Sequence, residues 1–112
     1  MLKPSGGMRI SVPNLKNAVV AYTNQDASWF DNWPREYTSL GGRFSNFIFC
    51  DGQHRNAFDF DYFQELHSKV GFSRVEEEQN GRSRLYRGDI LGPSEPEPFP
   101  DLSHSLYIEA FK

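Results

Sequence analysis

Among the residues able to do chemistry, His54 stands out in the run Gly52-Gln53-His54-Arg55-Asn56. An imidazole changes protonation near neutrality, so a loop histidine can hydrogen-bond a substrate or take its proton. The same side chain can instead bond backbone at a helix entrance. Loops carry function, but most loop residues do not. Asp59, a few residues on, reads more simply as a helix N-cap. His54, His67 and His104 show no metal-ligand spacing, so no zinc site is expected. Cys50 is the single cysteine, which rules out an intrachain disulfide; it reads as a small, partly buried hydrophobe. Arg82, Arg84 and Arg87 could grip an anionic group, although arginines scattered along a solvated strand or turn account for them.

A second chemical resource is aromatic. Ten Phe, five Tyr and two Trp make up 15% of the 112 residues, within a hydrophobic share of only 38%. Trp29, Trp33, Tyr37, Phe44, Phe47 and Phe49 fall close together and could line an apolar pocket. In a small domain short of aliphatics, such rings more often fill the core or an interface. The net charge of −3 with mixed signs argues against electrostatic capture of nucleic acid or of an anionic membrane. The first residues lack a long apolar stretch, and no window approaches the roughly 18 apolar residues of a membrane span. A soluble, cytoplasmic chain forming one domain, 1–112, is therefore expected.

The elements that must position these residues can be read in order. Met8–Val12 alternates apolar and polar residues between Ser5-Gly6-Gly7 and Pro13, which predicts a short strand. Asn14 is placed to cap a helix from Leu15 to about Thr23, with Leu15, Val19 and Tyr22 recurring at helical spacing beside Ala18. Residues 26–57 show no sustained period. Structureless loops of that length are uncommon, so short helices are expected near Trp33–Leu40 and Phe44–Phe49. Phe60–Val70 reads as a helix: Phe60, Phe63, Leu66 or His67, and Val70 trace one face, and Gly71 stops it. Phe72–Gln79 predicts a strand anchored by Phe72 and Val75, with Glu76-Glu77-Glu78 on a solvated strand or turn. Asn80-Gly81 signals a turn. Pro93, Pro96, Pro98 and Pro100 mark an extended surface connector. Leu106, Ile108 and Ala110 alternate with Tyr107, Glu109 and Phe111 in a final strand.

Order and residues together resemble the second half of a class I S-adenosylmethionine-dependent methyltransferase of the type 11 kind. In that family a helix ends in a Leu-Lys-Pro-Gly-Gly turn feeding the fifth strand. Leu2, Lys3, Pro4 and Gly6 match it here, Ser5 replaces the first glycine, and Ile10-Ser11-Val12-Pro13 follow. Asn14 stands where an Asp is common. Gly52–Phe60, leading through a helix to Gly71-Phe72, is similar to the approach to the sixth strand, and SLYIEAFK to the seventh. The resemblance implies a small mixed three-stranded α/β sheet, equivalent to the last three strands of the Rossmann-like fold. The last strand would lie antiparallel between the other two, with helices packed on the sheet.

The resemblance also implies where ligands would sit. In open α/β sheets they bind beyond the carboxyl ends of the parallel strands. Asn14, His54, Arg55, Asn56 and Asp59 would then approach the substrate side, with Trp29, Trp33 and Tyr37 folded over it. The family's glycine-rich cofactor loop and its ribose-binding acidic residue would lie upstream of Met1, and neither has a substitute. Gly6-Gly7 precedes a strand, and Gly41-Gly42 follows no clear strand. The expectation is a methyltransferase-like binding or accessory module that needs no cofactor as an isolated chain. One alternative is half of a split enzyme that meets S-adenosylmethionine only when a partner supplies the other half. Another is a small-molecule binder using the aromatic loop. Loss of a neighbour at the Met8–Val12 edge implies a homodimer or a partner chain there.

Overall fold

The computed structural model describes residues 6–79, 99 and 101–112. In chain order these form β1 (Gly7–Pro13), α1 (Leu15–Thr23), a one-turn 3-10 helix (Ala27–Trp29), α2 (Leu40–Phe49), α3 (Phe60–Lys69), β2 (Arg74–Glu78) and β3 (Ser105–Phe111). They fall into two compact units. One lies within Met1–Val12, Phe60–Glu97 and Ser105–Lys112, the other within Pro13–Asp59 and Pro98–His104. The Asn80-Gly81 turn, Arg82, Arg84, Arg87, the prolines from 93 to 100 and Leu2-Lys3-Pro4-Ser5 lie outside the described residues. No helix among the described residues is long and apolar enough to cross a membrane.

The first unit is built on a three-stranded sheet of order β1-β3-β2. β2 pairs antiparallel with β3, from Arg74 opposite Phe111 to Glu78 opposite Tyr107. On the other flank, the Lys112 N–H after β3 donates to the Gly6 carbonyl before β1 (2.8 Å), so that pair is antiparallel too. β1 and β2 therefore point the same way on either side of the last strand. This is the small α/β architecture expected. Leu106, Ile108 and Ala110 are buried on one face of β3, as is Val75 opposite Ala110, and Phe63 is the buried residue of α3. His67 in the last turn of α3 stacks on Phe63, and its Nδ1 bonds the Phe63 carbonyl (2.9 Å). α3 stops one residue before Val70, which is exposed and does not belong to the buried face expected of it. Gly71, with φ +103°, supplies the left-handed stop.

The other face of β3 carries an ion pair. Glu109 is 0% exposed, and the Arg9 guanidinium of β1 reaches its Oε2 at 3.1 Å. Arg9 also donates to the Gln79 carbonyl (2.9 Å) and lies over the Tyr107 ring.

The second unit is an aromatic core wrapped by α1 and α2. Asn14 caps α1 as expected, its Oδ1 accepting from the Asn17 N–H (3.1 Å). The buried seam of α1, however, is Ala18 and Ala21, while Val19 and Tyr22 are exposed. Trp29, Phe30 and Ile48 fill the space opposite that seam, leaving room only for methyl groups. The expected helix near Trp33–Leu40 does not form. A single helix, α2, starts at Leu40, where the Ser39 hydroxyl accepts from the Gly42 N–H (3.1 Å), and it contains the predicted Phe44–Phe49.

Replacing Arg9 by Met removes the cation facing a fully buried carboxylate and should cost about 3 kcal/mol in urea unfolding. The double replacement Arg9→Met with Glu109→Leu should recover most of that loss. A neutral single variant would show that other groups hold the Glu109 charge.

Candidate functional site

Residues 30–39 have no regular secondary structure, and their place is set by side chains of α2. Arg43 and Asn46, one helical turn apart on neighbouring positions, both reach across to this segment. Arg43 donates to the Tyr37 carbonyl (2.9 Å) and to the Ala27 carbonyl (3.1 Å). The Asn46 amide donates to the carbonyls of Trp33 (2.8 Å) and Arg35 (3.1 Å), and its Oδ1 accepts from the Arg35 N–H (3.3 Å). Asn46 is only 5% exposed, so its hydrogen-bonding capacity is spent on this backbone. The Asn32 side-chain Oδ1 accepts a further local bond from the Tyr37 N–H (2.8 Å).

His54 is placed by the exit of α2. Cys50, Asp51 and Gly52 take φ values of +50°, +56° and +84°, three consecutive left-handed residues that fold the chain back under the helix. The His54 N–H then donates to the Phe49 carbonyl (3.0 Å), and His54 Nδ1 faces the Ile48 carbonyl (3.3 Å). A carbonyl can only accept, so Nδ1 carries the hydrogen and the lone pair of the neutral ring lies on Nε2. The backbone bonded by this histidine belongs to the end of α2, not to the entrance of the helix that follows.

Two open clefts flank this arrangement. The larger, about 450 Å³, has Trp33, Phe47 and Pro13 as apolar walls and Asp31, Asn32 and His54 as polar ones, completed by buried Asn46 and Cys50. Trp33 is 68% exposed. The second, about 430 Å³, lies between Tyr37, Ser45 and Phe49 near Asp51. There Arg35 Nε pairs with the Asp51 carboxylate at 3.2 Å. A methyl group on Gly42 would come within 2.9 Å of the Tyr37 Cβ, so the small residue lets Tyr37 close over the start of α2.

The structure thus brings Trp33 and His54 into one cleft and puts Tyr37 in the other. Trp29 lines neither: it is 1% exposed, with its indole N–H donating to the Leu102 carbonyl (2.8 Å) and its rings edge-on to Phe30 and Phe47. Arg55 and Asn56 are exposed and line neither cleft. Asn14 is occupied as a cap, and it also forms an isolated parallel bridge with Phe58. Asp31, Asn32 and Asn46 are lining residues that pattern reading passed over. Asn46 gave little signal, standing beside Ser45 in the aromatic-rich run Phe44–Phe49.

His104 adds a polar element to the core rather than to a cleft wall. Its Nε2 bonds the Trp29 carbonyl, and its Nδ1 lies 3.9 Å from the Asp31 carboxylate. Its ring packs edge-on against Trp29. Among the described residues no group of three or more His, Cys, Asp or Glu could hold a metal ion. The chain matches no protein-family profile, no curated protein and no solved structure.

Asn46→Ala should destabilise the protein by about 2–3 kcal/mol in chemical denaturation, since backbone donors and acceptors lose a buried partner. Asn46→Asp should cost more. It keeps the acceptor for Arg35 N–H but sets a carboxylate against two carbonyl oxygens. Equal stability of the two variants would show that the amide donors do not hold the segment.

Proposed function

We propose that this chain is a methyltransferase-like binding module in which the aromatic segment 26–57 holds a small molecule, and that it does not transfer methyl groups alone. The observation that carries the reading is the strand order β1-β3-β2, with the last strand antiparallel to two strands that point the same way. That order is the one the resemblance to the last three strands of the class I fold requires.

The test is calorimetry with S-adenosylmethionine and S-adenosylhomocysteine. No heat of binding is expected for the chain alone. Saturable binding at micromolar cofactor would overturn the reading. Cofactor binding that emerges only after a partner carrying the glycine-rich loop is added would favour the split-enzyme alternative.

The proposal includes self-association. Among the described residues β1 lies at the outside of the sheet order, so its backbone groups facing away from β3 suit pairing with a second copy. In the second unit, Val19, Val20 and Tyr22 of α1 are exposed apolar side chains of the kind an interface covers. Sedimentation at micromolar concentration should show a homodimer, and Val20→Lys should weaken it if the helix contributes. A clean monomer of the unmodified chain would remove self-association from the proposal.

A further inference from the structure

We infer that the cleft beside Trp33 is a site for a small organic ammonium ion bearing an apolar group, an inference that rests on reading segment 26–57 as the binding element. The argument begins with which polar groups of the wall are already spent. The Asn46 amide is committed to Trp33 and Arg35 backbone, and the Asn32 oxygen to the Tyr37 N–H. What remains for a ligand is the Asn32 NH2 group, Nε2 of His54, whose other nitrogen is turned to the Ile48 carbonyl, and the Asp31 carboxylate, on a side chain 71% exposed whose Oδ2 lies 3.9 Å from His104 Nδ1. The last two are acceptors when the His54 imidazole is neutral.

The charge of the wall decides between ligand classes. Among the described residues Asp31 is the one fixed charge of the lining, which holds no lysine or arginine. A carboxylate or phosphate ligand would therefore meet a like charge with no fixed cation in the lining to offset it. A metal ion fares no better: one carboxylate and one imidazole beside Trp33, Phe47 and Pro13 are too few donors for a hard cation, which takes six or more oxygens. An ammonium group satisfies both acceptors as a donor. Its charge is also attracted to the face of an exposed indole, the aromatic ring best suited to holding cations. The apolar part of the ligand then lies against Phe47 and Pro13. About 450 Å³ accommodates a single ring with a short aliphatic arm.

The experiment uses the full chain labelled with nitrogen-15 and three probes of similar size: phenethylammonium, neutral 2-phenylethanol and anionic phenylacetate. The two indole N–H signals report separately, because Trp29 is buried and bonded to Leu102 while Trp33 is exposed in the cleft. Phenethylammonium should shift the Trp33 signal saturably, leave Trp29 in place, and bind about tenfold or more tightly than the other two probes. Asp31→Asn should abolish that preference, with an unchanged melting curve showing that the variant folds. Equal binding of the neutral or anionic probe, or an unaffected preference in Asp31→Asn, would overturn the inference while leaving segment 26–57 a binding element. If no probe moves Trp33, the inference fails together with the reading of this cleft as a site.

Discussion

The second unit depends on two side chains of one helix satisfying the backbone of a segment that has no ladder of its own. Buried or half-buried peptide groups must find partners, and a stretch without helix or strand cannot supply them internally. Arg43 and Asn46 do so for residues 27–37, through carbonyls of Ala27, Trp33, Arg35 and Tyr37 and the N–H of Arg35. The same bonds decide where the Trp33 and Tyr37 rings stand, since those carbonyls belong to the residues that line the two clefts. Fold and candidate site are in this sense one interaction. The helix that holds the loop also contributes Asn46 and Phe47 to the cleft wall, and its reversed exit delivers His54.

Aromatic packing sets the terms for everything around it. Trp29 occupies the centre with its polar edge satisfied by Leu102, as a buried indole requires. Phe30, Phe47 and His104 surround it at 4.4–5.0 Å between ring centroids, all in edge-on or steeply tilted arrangements. Rings of this size leave little depth for side chains on α1. Ala18 and Ala21 pack inward for that reason, and the larger Val19, Val20 and Tyr22 are turned outward. The exposed apolar face of α1 is thus a consequence of a core filled by rings rather than by leucines.

The same fact explains what could be read from the sequence. α3 was legible almost to the residue, because Phe60 and Phe63 recur at helical spacing and Gly71 ends the pattern. β1 and β3 were legible from alternation and flanking glycine or proline. The face of α1 was not, because periodicity locates a seam only when large residues are the ones that pack; here alanines do. Residues 30–39 resisted for a different reason. Their partners are Arg43 and Asn46, several positions away and on another element, and no local propensity encodes such bonds. Trp29, Trp33 and Tyr37 looked alike as aromatic residues in a polar loop. Only burial separates the first, which is core, from the others, which line clefts.

Glu109 shows how a residue that fits no local rule can still specify a structure. Alternation places it on the face of β3 opposite Leu106, Ile108 and Ala110, where an acid would be expected in water, yet it is fully buried. Across the β2 ladder it stands opposite Glu76, a like-charge pair that would destabilise the sheet by itself. Arginines offset this from both sides: Arg9 reaches Glu109 at 3.1 Å, and Arg74 lies 3.6 Å from Glu76. A one-residue slip of β1 on β3 would turn Arg9 away from Glu109 and toward the face of Ile108 and Ala110. Such a slip buries a carboxylate without its arginine and sets a guanidinium among apolar side chains, so both errors raise the energy together. The row of charges therefore adds to the apolar alternation in excluding a one-residue slip of this short sheet.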